Sequence, residues 1–133
     1  MAEPSYGLLD TSVVLDHDLI EHDRLPDECA VAAVTVAELA AGPHLTDDAD
    51  ERACRQDRLL WVTLTWDALP FDDDAARAFG RLCAAARASG ASSRHRVADL
   101  MVAATAVAHD LPLITRNPAG LVGLDEIVEV RGI

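Results

Sequence analysis

The chain has 133 residues, half of them hydrophobic and 26% charged, a profile that fits a soluble globular protein with length for one domain and its core but not for two. Its 23 acidic and 11 basic residues give a formal net charge of −12, and every basic residue is Arg, which excludes a Walker-A phosphate loop or a Schiff-base enzyme for want of the amine. Aromatics are only 4%, so a base-stacking platform could be assembled from Tyr6, Trp61, Trp66, Phe71 and Phe79 only by stripping the core.

The N-terminal stretch MAEPSYGLLD has neither the basic start nor the apolar run of a signal peptide, and no apolar run approaches the ~20 residues needed to cross a bilayer. The expectation is a cytoplasmic protein with no membrane partner. Tyr6 to Leu9 reads as a first strand, followed at Asp10-Thr11-Ser12 by a helix carrying Val13, Val14 and Leu15. Asp16, His17, Asp18, Glu21 and His22 come next; Asp18 and His22 on one helix face suggest a transition-metal site, and the plainer reading is a solvated helix end.

Leu25-Pro26 breaks the chain, Cys29 to Val34 is a second buried strand, and Thr35 opens a helix that stops at Gly42-Pro43. A third helix begins in the acidic stretch from Thr46 to Glu51, with Arg52, Arg55 and Arg58 beyond it. The order suits the macrodipole, allows Asp48 with Arg52 and Glu51 with Arg55 one turn apart, and reads as a solvated face. Trp66 to Phe71 is a third strand placed near an edge by Pro70, and Asp72-Asp73-Asp74 starts a helix that runs to Ala88 and ends at Ser89-Gly90. A helix from about Val97 to His109, a fourth strand from Leu111 to Thr115 and a fifth from Ile127 to Val130 complete the chain. Strands alternating with helices predict an α/β fold, a mostly parallel sheet of about four to five strands with helices on both faces. Cys29, Cys54 and Cys83 are widely spaced without a Cys-x-x-Cys, so they read as small buried hydrophobes rather than as a disulfide framework or a zinc knuckle.

Three carboxylates stand where apolar strand-like runs meet helices: Asp10 in GLLDTSVVLD, Glu38 in VAAVTVAELAAG and Asp99 in RVADLMVAATAVA. Each has a plain structural reading. Asp10 suits a helix N-cap, Thr35-x-x-Glu38 has the form of a capping box, and Asp99 sits in a first turn where the dipole favours negative charge. In an α/β fold, however, these junctions converge on one crevice with Thr115, Arg116 and Asn117 after LPLI. Carboxylates gathered there raise one another's pKa unless a cation compensates them, and an all-oxygen set suits Mg²⁺ or Mn²⁺.

LLDTSVVL, TVAELAAG, ADLMVAATA and LPLITRNP, in this order, resemble the four signature blocks of the PIN-domain ribonucleases, and most nearly those of the VapC-type toxins of bacterial toxin–antitoxin pairs. The resemblance spans Leu8 to about Leu121 and implies a PIN-like three-layer sandwich and a metal-dependent endoribonuclease. It makes Asp10, Glu38 and Asp99 the acidic ligands of Mg²⁺ or Mn²⁺, with Thr11 or Ser12 as hydroxyl partners and Thr115 as the small hydroxyl before a fourth site. Many family members carry an acid at the position of Asn117 or three residues later, where this chain has Gly120-Leu121. Asn117 can offer a neutral carbonyl oxygen, which implies one well-held metal and a second that arrives with substrate. The resemblance also implies a small antitoxin as partner, a homodimer and a toxin–antitoxin hetero-oligomer.

From Ala75 to Ala98 there is no acid, while Arg77, Arg81, Arg87, Arg94 and Arg96 fall there, making the SSRHR segment the preferred phosphate-contacting loop. Arg stems covering apolar surface are the plainer reading for Arg77 and Arg81. Arg116 is placed for a phosphate or for an acidic tail of a partner. Two rivals remain at this point: a catalytically silent PIN-like module that binds RNA or protein, and a Mg-dependent phosphatase of the haloacid-dehalogenase type. The second lacks its second Asp, since Ser12 stands there, and its Lys.

Overall fold

The computed structural model describes residues 5–90 and 95–133. Its strands are β1 (Tyr6–Leu9), β2 (Glu28–Ala32), β3 (Ala68–Leu69), β4 (Leu113–Thr115) and β5 (Val130–Gly132), and its helices α1 (Thr11–Leu15), α2 (Ala33–Ala41), α3 (Ala49–Thr65), α4 (Asp73–Ala88) and α5 (Val97–Ala108). The sheet runs β3-β2-β1-β4-β5 and every pair is parallel. This is the parallel α/β arrangement that the alternation predicts, and it accords with the three-layer sandwich that the resemblance implies.

The period of two along each strand sets the layers. Leu8, Ala32 and Leu113 point into one core with the buried faces of α4 and α5, while their neighbours Leu9, Val31 and Ile114 point into the other with Val13, Val14, Leu39 and Val62. Such two-sided burial is what makes the parallel strands continuously apolar. Gly7 lets β1 and β4 approach: a Cβ there would lie 2.7 Å from Ile114 Cγ1 and 2.8 Å from Pro26 Cγ.

The chain builds outward from β1 to β2 and β3, then returns to the opposite side of β1 with β4 and β5. The order therefore reverses between β1 and β4, and a crevice opens beyond their carboxyl ends. The fold's functional geometry follows from that reversal.

Several local expectations are corrected. α2 begins at Ala33, with Ala32 as an N-cap lacking any side-chain bond, so Thr35 is two residues inside the helix and Thr35-x-x-Glu38 is not a capping box. The cause is β2, which ends at Ala32 where its pairing with Leu69 is complete. β3 is confined to Ala68–Leu69, and β5 lies later than the apolar run from Ile127 suggested, because Ile127 and Val128 turn back to donate to the Leu124 carbonyl. Asp18 and His22 share no helix; they fall in separate single turns, His17–Leu19 and His22–Arg24, and Asp18 is fully exposed. His17 is not a solvated helix end either, since its ring packs 4.6 Å from Trp61 and 5.5 Å from Trp66 between centroids. Asp48 caps α3 through the Asp50 and Glu51 amides instead of pairing with Arg52, which donates to the carbonyls of Pro43 and Thr46. Glu51 does pair with Arg55, at 2.9 Å. Cys54 is exposed, unlike half-buried Cys29, whose thiol burial pushes up from its usual pKa.

Candidate active site

Asp10 leaves β1 at the reversal point. Its backbone N–H donates to Ile114 O at 2.8 Å, tying the strand end to β4, and its extended backbone makes it the N-cap of α1. The side chain is fixed from three sides: Oδ1 accepts from the Thr11 amide at 2.9 Å, and Oδ2 accepts from Ser12 Oγ at 3.0 Å and Thr115 Oγ1 at 2.9 Å. A carboxylate has about four acceptor positions, so one remains open toward the crevice. The N-cap and ligand readings of Asp10 are thus compatible, because the cap occupies only part of the carboxylate.

Glu38 projects from the second turn of α2. Thr11 Oγ1 donates to its Oε1 at 3.0 Å and lies 2.9 Å from the hydroxyl of buried Thr35, so Thr35 serves as donor to Thr11. The two hydroxyls that follow Asp10 in the chain therefore divide their work: Ser12 serves Asp10 and Thr11 serves Glu38. Thr35 had no place in the sequence-based site; it was singled out there only as a helix cap. The other oxygen of Glu38 meets Arg96 Nη2 at 3.2 Å.

Asp99 occupies the first turn of α5, behind the N-cap residue Arg96. Burial and then the Asp10 carboxylate raise its pKa, against the lowering effects of the Arg96 charge, a hydrogen bond from the Arg96 backbone N–H and the charge of His95. The Asp10 carboxylate is thus near enough to oppose ionisation of Asp99.

Asp10, Ser12, Glu38, Arg96, Asp99 and Asn117 line one crevice of about 230 Å³. Asn117 sits on its exposed rim; its amide donates to Thr115 Oγ1 at 3.1 Å, and its side chain lies over Gly120, where a Cβ would come within 2.7 Å of Nδ2. Arg116 turns away from the crevice toward Asp16, at 3.7 Å, although its amide donates to Ser12 Oγ. Arg87 is exposed in the last turn of α4 and does not line the crevice, and Arg94 lies outside the described residues. A larger open hollow of about 950 Å³ lies beside His17, His22, Trp61 and Trp66 but holds none of the three carboxylates.

Among the described residues, no three His, Cys, Asp or Glu side chains stand close enough to grip one ion together. The donor chemistry nevertheless fits a hard divalent cation, since Mg²⁺ is bound through one or two carboxylates and keeps several waters. Asp99, held above its ordinary pKa range beside Asp10, is the group a cation would relieve.

Comparison with known proteins identifies the family. Residues 8–121 match the PIN domain family. The chain is 38% identical to Ribonuclease VapC5 of Mycobacterium tuberculosis (strain ATCC 25618 / H37Rv) over 117 residues, 86% of this chain and 84% of that protein. It is 35% identical to VapC ribonuclease Y4jK of Sinorhizobium fredii (strain NBRC 101917 / NGR234) over 134 aligned positions, 90% of this chain and 94% of the relative. It superposes on the crystal structure of VapBC-5 from Mycobacterium tuberculosis, a member of the VapBC family of toxin–antitoxin systems, with a TM-score of 0.78 and 38% identity over 98% of each chain. FitAcB from Neisseria gonorrhoeae matches with a TM-score of 0.72 and 28% identity, over 92% of this chain and 94% of that one. With the matched segment running from β1 through the turn after β4, and so containing all three carboxylates, the chain belongs to the PIN-domain family.

Proposed function

We propose that this protein is a Mg²⁺- or Mn²⁺-dependent endoribonuclease and the toxin of a toxin–antitoxin pair. The observation that carries the reading is the convergence of Asp10, Glu38 and Asp99 on one crevice beyond the sheet's switch point. Ribonuclease relatives at 38% and 35% identity support the activity, and a VapBC neighbour supports a small antitoxin as partner and a hetero-oligomer. We extend this to a homodimer acting in the cytoplasm. No described helix is long and apolar enough to cross a membrane.

Asp10, Asp99 and Glu38 would share the ion between direct and water-mediated contacts, no more than two of them gripping it at once, and Asn117 would offer a neutral oxygen at the rim. The chemistry Mg²⁺ or Mn²⁺ supplies when bound is acidification of water and neutralisation of charge building on the phosphate during in-line attack. The chain's own part is positioning. Ser12 and Thr115 lock the Asp10 carboxylate, the Thr35 and Thr11 hydroxyls orient Glu38, and Arg96 brings a guanidinium to the crevice for the substrate's phosphate. Water attack with departure of the 3′ oxygen leaves a 5′-phosphate and a 3′-hydroxyl.

The test is cleavage of an RNA panel by wild type, Asp10→Asn and Asp99→Asn in Mg²⁺, Mn²⁺ and EDTA, with product ends mapped. Loss of cleavage in both variants and in EDTA is the expected result; undiminished cleavage in any of them sinks the reading.

A further inference from the structure

A second hollow of about 310 Å³ adjoins the carboxylate crevice, and Thr11, Leu15, Glu38 and Arg96 line both. Its far side is built by α3, which packs against α2 and presents Arg55 and Arg58 one turn apart on the same face. In a chain of net charge −12, this hollow gathers three guanidiniums, from Arg55, Arg58 and Arg96, against two carboxylates, Glu38 and Glu51.

The three arginines are not equivalent. Arg55 is held in place: Nε donates to Glu51 Oε1 at 2.9 Å and Nη1 to Gly42 O at 2.8 Å. Its stem lies over Gly42, where a Cβ would stand 3.4 Å from Arg55 Cδ. Arg96 pairs with Glu38 at 3.2 Å. Arg58 is half-buried and, among the described residues, has no ion pair or hydrogen bond, although the chain carries 23 acids that could have neutralised it. Arg58 shares a neighbouring hollow with Asp18 and Asp57 but, among the described residues, pairs with neither, so this half-buried guanidinium beside the carboxylate crevice is a place for an anion from outside.

We propose that Arg55, Arg58 and Arg96 form a subsite for a backbone phosphate of the RNA strand neighbouring the one that is cleaved, entered from the crevice past Glu38. The planar fork of Arg matches phosphate oxygens in pairs, which a lone ammonium does not. An acidic peptide offers similar anion chemistry, but continuity with the carboxylate crevice favours the strand whose phosphodiester lies there. The inference rests on the ribonuclease reading and adds to it the direction in which the substrate leaves the site.

The experiment measures binding of a short single-stranded RNA oligonucleotide to the Asp10→Asn protein across a salt series, with and without Arg58→Gln, Arg96→Gln or the control Arg131→Gln. Arg131 pairs with Glu129 on the exposed edge of β5. Losing one phosphate contact should weaken low-salt binding about fivefold and flatten the dependence of log K on log salt by about 0.7, for Arg58→Gln and again for Arg96→Gln, while Arg131→Gln changes neither. Circular dichroism checks that Arg58→Gln remains folded, and a purely structural role would not move the salt slope. If wild type binds and cleaves RNA while Arg58→Gln keeps full affinity and slope, the subsite alone is overturned. If wild type neither binds nor cleaves RNA, the ribonuclease reading falls and takes the subsite with it. A loss of affinity for an oligoglutamate peptide with RNA binding intact assigns the hollow to a protein carboxylate and also overturns the proposal.

Discussion

Thr115 Oγ1 donates to Asp10 Oδ2 at 2.9 Å, a bond that spans 105 residues and joins the end of β4 to the cap of α1. The same hydroxyl accepts from the Asn117 amide, so one buried Thr fixes both a carboxylate and the turn that follows. Replacing it with Val removes the donor and keeps the shape. A hydrogen bond to a charged group contributes about 1.5–3 kcal/mol, so Thr115→Val should lower the urea midpoint measurably. Groups that orient metal ligands typically cost about 10–100-fold when lost, so its Mn²⁺ affinity, read by calorimetry, should fall within that range.

Asp99 predicts a pH dependence whose sign follows from its raised pKa. A carboxyl that binds its proton more tightly when folded leaves the native state with more protons than the unfolded chain, so stability falls as pH rises. The fall starts near the unfolded carboxylate value of about 3.9 and levels once pH passes the raised folded value. In metal-free buffer, thermal melts should therefore show Asp99→Asn more stable than wild type at neutral pH, with the difference closing under acid conditions. An Asn variant less stable than wild type at neutral pH would contradict the assignment of strain to this carboxylate.

Divalent metal should reverse that order. A ligand that binds only the folded state contributes about 2.7 kcal/mol at a free concentration about a hundred times its dissociation constant. Wild type titrated with MnCl₂ should rise in melting temperature accordingly, Asp10→Asn and Asp99→Asn should not, and EDTA should return wild type to its starting point.

Gly7 supplies a packing test remote from the chemistry. Its missing Cβ is what admits Ile114 and Pro26, and overpacking a tight core typically costs about 1–3 kcal/mol. Gly7→Ala should lose stability in that range in urea titrations, and Gly7→Val more, because β1 must move away from β4 and carry Asp10 with it.

What could be read from the residues was the set of junctions, and what could not was which group faces which across them. Asp10 was legible because an apolar pair runs straight into an acid and two hydroxyls, a local pattern that the fold keeps. Glu38 stood out by its place at a strand-to-helix junction, while the capping box offered as its plainer reading is what the fold removes. The chain near Ala32 and Ala33 has no marker for where strand gives way to helix, so Thr35 looked like a cap, and only the pairing of Ala32 with Leu69 shows why the helix begins earlier. The run from Ile127 to Val130 signalled burial correctly but not an extended backbone, since its first residues turn back on Leu124 and leave the pairing with β4 to Val130–Gly132. Arg55 and Arg58 read as a solvated face because helical periodicity reports which side of a helix is polar, not what stands opposite it. Arg116, which adjacency to Asn117 favoured as a phosphate contact, is drawn instead to Asp16.

The reversal of strand order also decides how far the candidate crevice depends on the rest of the molecule. Two of the three bonds on the Asp10 carboxylate are local, from the Thr11 amide and the Ser12 hydroxyl, but the third comes from Thr115, 105 residues away, whose strand is held by Tyr6–Leu9 on one side and Val130–Gly132 on the other. The carboxylate therefore gains its full set of donors only when distant strands have paired, so the crevice is a property of the assembled sheet and not of any single segment of the chain.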